Sequence, residues 1–315
     1  MPGVFCSGAI IFDTLVKPVD KLQWGTTTFV DSIEYHVGGN GANTSMALGT
    51  LGVPVCLAGA VGDDEQARFV RERLTRSGVD TALVHCVDAP TAATVVMIDA
   101  RGNRCFHHRL GASAVAYSEA PDFTYAVEAG MSHYHFASLF ILPWARVHGP
   151  KMLAAARAAG LTTSLDTNWD PHGIWMADLA PCLPDLDFLF MNEDEASMIT
   201  GSSDPAVAAA VVLSKGVRTA VIKLSARGCA IYTSDCERLC PAYEVEVTDS
   251  TGAGDCFVAG FLSASLSGAS LEKAGQFANA VGALSVRSIG AVSGLTSVSE
   301  TRAWMQSAKR RTAWI

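Results

Sequence analysis

Asp249-Ser250-Thr251-Gly252-Ala253-Gly254-Asp255 runs straight into the apolar stretch Cys256–Leu266. Gly252, Ala253 and Gly254 leave backbone N–H groups uncovered where helical periodicity begins. A helix start collects unpaired N–H groups at the positive end of the dipole, which makes it an anion site. Asp255 puts a carboxylate at the same point. That pairing makes sense where the carboxylate accepts a proton while the anion is transferred, as in phosphoryl transfer to a hydroxyl. Read alone, the segment is equally well a helix whose first-turn Asp is stabilised by the dipole.

A second glycine-rich stretch, Gly38-Gly39-Asn40-Gly41-Ala42-Asn43, precedes a run of small residues at helical spacing. Glycines let backbone approach a ligand closely, and the two Asn side chains supply donors and acceptors. Thr44 stands where a dinucleotide fingerprint needs its third glycine, and the chain contains no Gly-x4-Gly-Lys-Ser/Thr loop. Read alone, this stretch is better explained as a tight turn that packs a helix.

Between these stretches the chain alternates strands and helices. The patterning predicts strands over Phe5–Phe12, Val55–Val61, Tyr134–Leu139, Thr162–Asp166, Phe188–Met191, Ala220–Leu224 and Cys229–Thr233. Helices are expected over Asn43–Leu51, Asp64–Ser77, Pro150–Ala159, Glu193–Thr200, Ala206–Ser214, Gly254–Ser267 and Leu271–Val286, and a last one behind the capping box Ser297-x-x-Glu300. Such alternation implies a mostly parallel sheet covered by helices. Two hairpin-like excursions interrupt it: Thr14–Val37, with β-prone pieces Thr26–Val30 and Ile33–Val37, and Ala93–Arg109, turning at Arg101-Gly102-Asn103.

Composition limits the partners. The chain has 315 residues, 49% hydrophobic, and a net charge of 23 − 31 = −8. Nucleic-acid binding rests on phosphate neutralisation, so an acidic chain without basic blocks is expected to have no nucleic-acid partner. The longest uncharged stretch, Tyr35–Gly62, carries seven glycines and Pro54, so no membrane partner is expected either. No basic n-region precedes the first apolar run, and nine cysteines read as reduced thiols of a cytoplasmic protein.

Taken together, the two glycine-rich stretches resemble the ribokinase-like (PfkB) carbohydrate kinases. Gly38–Asn43 matches the family's Gly-Gly-x-Gly-x-Asn turn. Asp249–Asp255 matches its Asp-Thr-x-Gly-Ala-Gly-Asp signature, with Ser250 for Thr. Gly59–Asp64, Asn192-Glu193-Asp194-Glu195 and Lys223–Gly228 resemble further family motifs in the family's order. The resemblance implies an α/β fold: one ribokinase-like three-layer α/β/α domain over 1–315, its sheet mostly parallel, with a small β-sheet lid from about 14–37 and 93–109. It implies an ATP-dependent sugar kinase for a small carbohydrate of the ribose, fructose or 2-keto-3-deoxygluconate type. A nucleoside kinase of the same family and a catalytically silent sugar or nucleotide sensor are the alternatives. The intact Asp255, Gly252 and Gly254 argue against the sensor.

The resemblance also implies roles. Asp255 would be the base, with the N–H groups of Gly252, Ala253, Gly254 and Asp255 as anion hole. Asp13, Gly39, Asn40 and Asn43 fall where the family holds the sugar, and Arg104, Phe106 and His108 share one face of the second hairpin and could reach it. Asp166 lies in a segment similar to one of fructokinases and 2-keto-3-deoxygluconate kinases. Asp170 of that segment stands where those relatives often carry Arg, which leans toward a neutral substrate. For ATP the matching positions are Asn192, Ser225 (where Gly is usual), Gly228, Thr251 and Asn279. Asn192 and Glu195 would hold Mg²⁺ largely through water. Their three-residue spacing is read as one helical face. Ser285–Gly294 with Asp249 resembles the monovalent-cation loop of ribokinase, which leaves K⁺ open. Relatives often dimerise through the lid, so a homodimer of that kind is a further expectation.

Overall fold

The computed structural model describes residues 2–311. A ten-stranded sheet forms its centre. Across that sheet the strands run Glu237–Pro241, Gly228–Tyr232, Thr219–Lys223, Phe188–Asn192, Thr162–Asp166, Met131–Phe136, Gly3–Ser7, Val55–Val61 and Val79–Asp80, with Val84–Cys86 also paired to Val55–Val61. All pairings are parallel except those on either side of Gly228–Tyr232.

Alternation along each strand divides the core between the two faces. Val4, Cys6, Leu57, Phe190 and Val221 face the helices Asn40–Thr50, Glu65–Arg76, Ala253–Leu266 and Leu271–Ser285. Phe5, Cys56, Tyr134, Leu165 and Leu189 face the helices Pro143–Ala158, Glu193–Thr200 and Pro205–Leu213. The three-layer arrangement expected from the sequence is therefore the one observed.

A separate four-stranded sheet has the order Ser32–Gly38, Ile11–Lys17, Ala93–Ile98, Arg104–Arg109. Both hairpins were expected, but the first begins earlier. The predicted strand Phe5–Phe12 is two strands: it leaves the large sheet after Ser7 and enters the small one at Ile11. The break has a packing cause. A Cβ on Gly41 would lie 2.6 Å from Gly8 Cα, so the helix Asn40–Thr50 rests directly on the Gly8 backbone and turns the chain there. Thr26–Val30 is not a strand; the link 18–31 between the two strands is irregular.

Other elements differ as well: the strand expected over Tyr134–Leu139 is Met131–Phe136, and the helix expected over Asn43–Leu51 is Asn40–Thr50. The helix predicted to open at Pro150 opens at Pro143 and carries Pro150 inside it, at the cost of one intrahelical hydrogen bond. The edge strand Glu237–Pro241 was not predicted, because its exposed Glu237 and Arg238 hide the pattern.

The turn between Thr219–Lys223 and Gly228–Tyr232 holds Ser225 at φ 54°, in the left-handed region. That conformation costs an L-residue about 1–2 kcal/mol, of which glycine's looser unfolded chain returns part. Ser225→Gly is expected to raise unfolding free energy by about 0.5–1 kcal/mol in urea melts. Unchanged or lower stability would show that the turn carries no strain.

Candidate active site

The two glycine-rich stretches, far apart in sequence, meet at one carboxylate. Each opens a helix, Asn40–Thr50 behind Gly39 and Ala253–Leu266 behind Gly252. Asn40 Nδ2 donates to Asp255 Oδ1 at 3.0 Å, and Asn43 Nδ2 to Asp255 Oδ2 at 2.8 Å. Both Asn residues were expected at the sugar; here their amides orient Asp255. Asn43 Oδ1 is buried without a hydrogen-bond partner among the described residues. Burial raises the pKa of Asp255, and Glu195 adds to that, while the two amides and Lys223 oppose it.

The loop before Asp255 has the backbone of an anion site. Gly252 takes φ 69°, and a Cβ there would lie 2.5 Å from Ala291 Cβ. Only glycine fits both conditions. The N–H groups of Gly254 and Asp255 belong to the first helical turn, where no earlier helical carbonyl can accept them. Of the N–H groups expected in the anion hole, that of Ala253 donates to Ser250 O at a long 3.3 Å.

Asp13 occupies the small sheet, in register with His36 and Thr94. Burial pushes its carboxyl up to about 6 against the opposing effects of Thr94 and His36. A Cβ on Gly38 would meet Asp13 Oδ2 at 1.9 Å. The turn Gly38–Asn40 thus touches Asp13 at one end and Asp255 at the other.

Arg104 lies on the same face of the small sheet as Phe106 and His108. Its guanidinium reaches the anion loop: it donates to Asp249 Oδ1 at 2.6 Å and to Thr251 Oγ1. Asp249 also accepts from Thr251 N at 2.8 Å and Gly290 N at 3.0 Å. These donors outweigh burial and bring the Asp249 carboxyl down to about 2. A side-chain cation, Arg104, therefore stands at the Asp249 carboxylate where a monovalent cation was expected.

A cavity of about 700 Å³ opens beside the anion loop. Asn192, Ser225, Gly228 and Asn279, the positions expected to hold ATP, line it, together with Lys223 and Gly254. Thr251 is on the Arg104 side instead. Asn279 uses its amide on Cys240 O at 2.8 Å and Pro241 O at 3.3 Å, keeping Oδ1 for other partners.

Asn192 and Glu195 are arranged otherwise than their spacing suggested. Asn192 ends a strand and caps the helix Glu193–Thr200, so the two residues do not share a helical face. Asn192 Oδ1 accepts from Glu195 N at 2.8 Å, and Glu195 Oε2 accepts from Asn192 N at 3.0 Å and from Thr167 Oγ1 at 2.8 Å. Behind them Asp166 pairs with Lys223 Nζ at 2.6 Å. Burial raises the pKa of the Asp166 carboxyl, Glu195 and Asp255 reinforce that, and the Lys223 ammonium opposes it. Three buried carboxylates, Asp166, Glu195 and Asp255, thus surround one ammonium. This negative excess suits a divalent cation that arrives with phosphates and keeps most of its water. Among the described residues no group of three His, Cys, Asp or Glu side chains forms a complete protein cage.

Two sequence readings need revision. Asp170 is not a substrate-facing replacement for Arg. It is buried, paired with Arg146, and accepts from the N–H groups of His172 (2.9 Å), Ile174 (2.7 Å) and Trp175 (2.7 Å). Arg146 and these N–H groups hold it well below the usual carboxylate range against the opposing effect of burial, so it carries no information on substrate charge. Lys223, by sequence only the first residue of a turn motif, belongs to the site as well. Its position as the last residue of a parallel strand was the available signal, because ligands of open α/β sheets sit at the carboxyl ends of strands.

Known proteins resemble this chain in sequence and fold. The family model described as pfkB family carbohydrate kinase matches residues 1–297. An ATP-dependent ribose-1-phosphate kinase of Halopiger xanaduensis is 29% identical, over 94% of this chain and 96% of its own length. Fructokinase-1 of Oryza sativa subsp. japonica is 28% identical, over 86% of this chain and 88% of its own. Among solved structures, Arabidopsis thaliana ribokinase complexed with ribose and ATP superposes with a TM-score of 0.86 at 25% identity, covering 97% of this chain and 99% of that one. A putative Ribokinase II from E. coli, in complex with ATP and Mg²⁺, shares the fold with a TM-score of 0.85 at 23% identity, covering 97% and 99%. With a family match over nearly its whole length and both glycine-rich signatures meeting at Asp255, the chain belongs to the pfkB family of carbohydrate kinases.

Proposed function

We propose that the protein transfers the γ-phosphoryl group of ATP to a hydroxyl of a small carbohydrate of the ribose, fructose or 2-keto-3-deoxygluconate type, with Asp255 as the base. The observation that carries this reading is the grip of Asn40 and Asn43 on Asp255, which sets the carboxylate between the sugar-side turn and the anion loop. Asp255 takes the hydroxyl proton as the oxygen attacks phosphorus. Burial makes it a better base than a solvated Asp, and two fixed donors keep it aimed. The N–H groups at the start of Ala253–Leu266 receive the charge of the transferring group. Mg²⁺ supplies neutralisation of the phosphate charge when bound, and Asn192 and Glu195 would hold it through water.

Asp13, in the small sheet, accepts sugar hydroxyls, and Asn43 Oδ1 is a second acceptor. The small sheet acts as a lid that excludes water, as Arg104 reaching from it to Thr251 and Asp249 supports. Its face opposite Asp13 exposes Ile33, Tyr35 and Val95, which favours a second copy of the chain on that side.

A phosphorylation screen with ribose, ribose 1-phosphate, fructose, 2-keto-3-deoxygluconate, adenosine and inosine tests the substrate class. Turnover confined to the nucleosides would overturn the sugar reading. Asp255→Asn is expected to lower kcat at least ~10²-fold with ATP affinity nearly unchanged. Near-normal turnover in that variant removes Asp255 as base.

Asp13 gives a pH signature. A carboxyl with a raised pKa stabilises the ligand-free fold when protonated, and that contribution is lost as pH rises through about 6. Sugar binding needs the ionised form, so sugar affinity should rise with pH across the same window. Asp13→Asn should flatten this dependence in calorimetric titrations. An unchanged pH profile in the variant would separate Asp13 from the sugar.

A further inference from the structure

The anion loop is flanked by two side-chain cations. Arg104 is committed to Asp249 and Thr251. Lys223 has Asp166 as its single hydrogen-bond partner among the described residues, and an ammonium carries three N–H donors. Two of its donors are therefore open. Lys223 is also placed to use them: it lines the cavity that the nucleotide reading assigns to ATP, and its Nζ lies 3.4 Å from where a Cβ on Gly254 would stand. Gly254 supplies one of the first-turn N–H groups.

The alternative is that Lys223 only neutralises Asp166. Burial of the pair speaks against that as its sole purpose, since a buried ion pair is generally no more stabilising than apolar residues of the same volume. The two partners are also unequally covered. The Asp166 side chain is 3% exposed, but that of Lys223 is 13% exposed at the cavity wall. Nearby Glu195 and Asp255 outweigh the cost of its burial, together with Asp166, and keep it charged.

We propose that Lys223 is a catalytic residue that bridges Asp166 and the transferring phosphoryl group, one N–H held by the carboxylate and another given to an equatorial phosphoryl oxygen. In the transfer the bond from the sugar oxygen to phosphorus forms as the bond from phosphorus to the β,γ-bridging oxygen breaks. The hydroxyl proton goes to Asp255, ADP leaves with the bond's electrons, and Lys223 stays protonated throughout. Because the charge is shared among the equatorial oxygens, a fixed ammonium there favours the transition state over bound ATP. This deepens the ATP-dependent reading of the cavity and rests on it.

The test is a double-mutant cycle of Lys223→Met and Asp166→Asn, reading binding of Mg-ADP with and without aluminium fluoride, a mimic of the transferring group that needs no identified sugar. Wild type is expected to bind the fluoride complex at least ~10²-fold more tightly than Mg-ADP. Lys223→Met should lose ~10²-fold of that preference in the wild-type background and again in the Asp166→Asn background, with Mg-ADP affinity little changed. If the double variant instead prefers the fluoride complex as strongly as Asp166→Asn alone, Lys223 is only a counter-ion and the proposal is overturned. The double variant also leaves no unpaired buried carboxylate at residue 166, so the comparison survives if Lys223→Met alone does not fold. A wild type that binds neither Mg-ADP nor its fluoride complex would refute the nucleotide reading itself, a result distinct from a tight wild type with an equally tight Lys223→Met.

Discussion

Two amide groups on one carboxylate hold the site together. Asn40 and Asn43 sit in the first turn of one helix, and Asp255 in the first turn of another. Each helix is fixed by burial against the same face of the large sheet, through Ala42, Ala47 and Leu48 on one and Val258, Phe261 and Leu262 on the other. The hydrogen bonds could not form if either helix slid by half a turn, about 2.7 Å at 1.5 Å per residue. The core therefore sets the aim of Asp255, and the two Asn residues convert helix packing into the orientation of one carboxylate. Charge-assisted hydrogen bonds of this kind are stronger than neutral ones, and burial makes their loss costlier.

The same geometry explains why an acidic chain can serve a phosphate-bearing substrate. Arg104 and Lys223 each rest on an aspartate, so no bare basic surface is presented. Backbone N–H groups and a divalent ion can carry most of the anion's charge instead. Arg104 comes from the small sheet and Lys223 from the large one, so the loop before Asp255 is flanked by side chains of both sheets. A small-sheet residue on that loop means that the arrangement of the loop depends on where the small sheet stands.

Much of this was legible because glycine and short polar residues have few uses at a helix start. Gly252 and Asp255 marked a helix start with open N–H groups, and Asn40 and Asn43 a polar turn. Their mutual contact was not legible, because it joins segments that no local pattern relates. The strand expected over Phe5–Phe12 shows the same limit: Gly8 inside it is a local sign of weakness, but the break itself comes from Gly41 of another segment pressing on Gly8. Asp170 misled for a different reason. A loop aspartate reads as solvent- or ligand-facing, yet Arg146 lies in a helix that precedes it and takes it inward.

Asn192 and Glu195 show how one spacing can satisfy two demands. A capping box needs a side-chain acceptor and, three residues on, a carboxylate that reaches back. The capping box uses Asn192 Oδ1 and Glu195 Oε2, which leaves Glu195 Oε1 outside it. Thr167 shares Oε2, tying the cap to the segment that carries Asp166. The helix cap thus holds Glu195 beside the Asp166–Lys223 pair, where its charge raises the pKa of both. A water-mediated metal site of the kind proposed here would require fixed carboxylates rather than a closed cage, and a cap whose strength comes from folding would offer one without demanding the metal in order to fold.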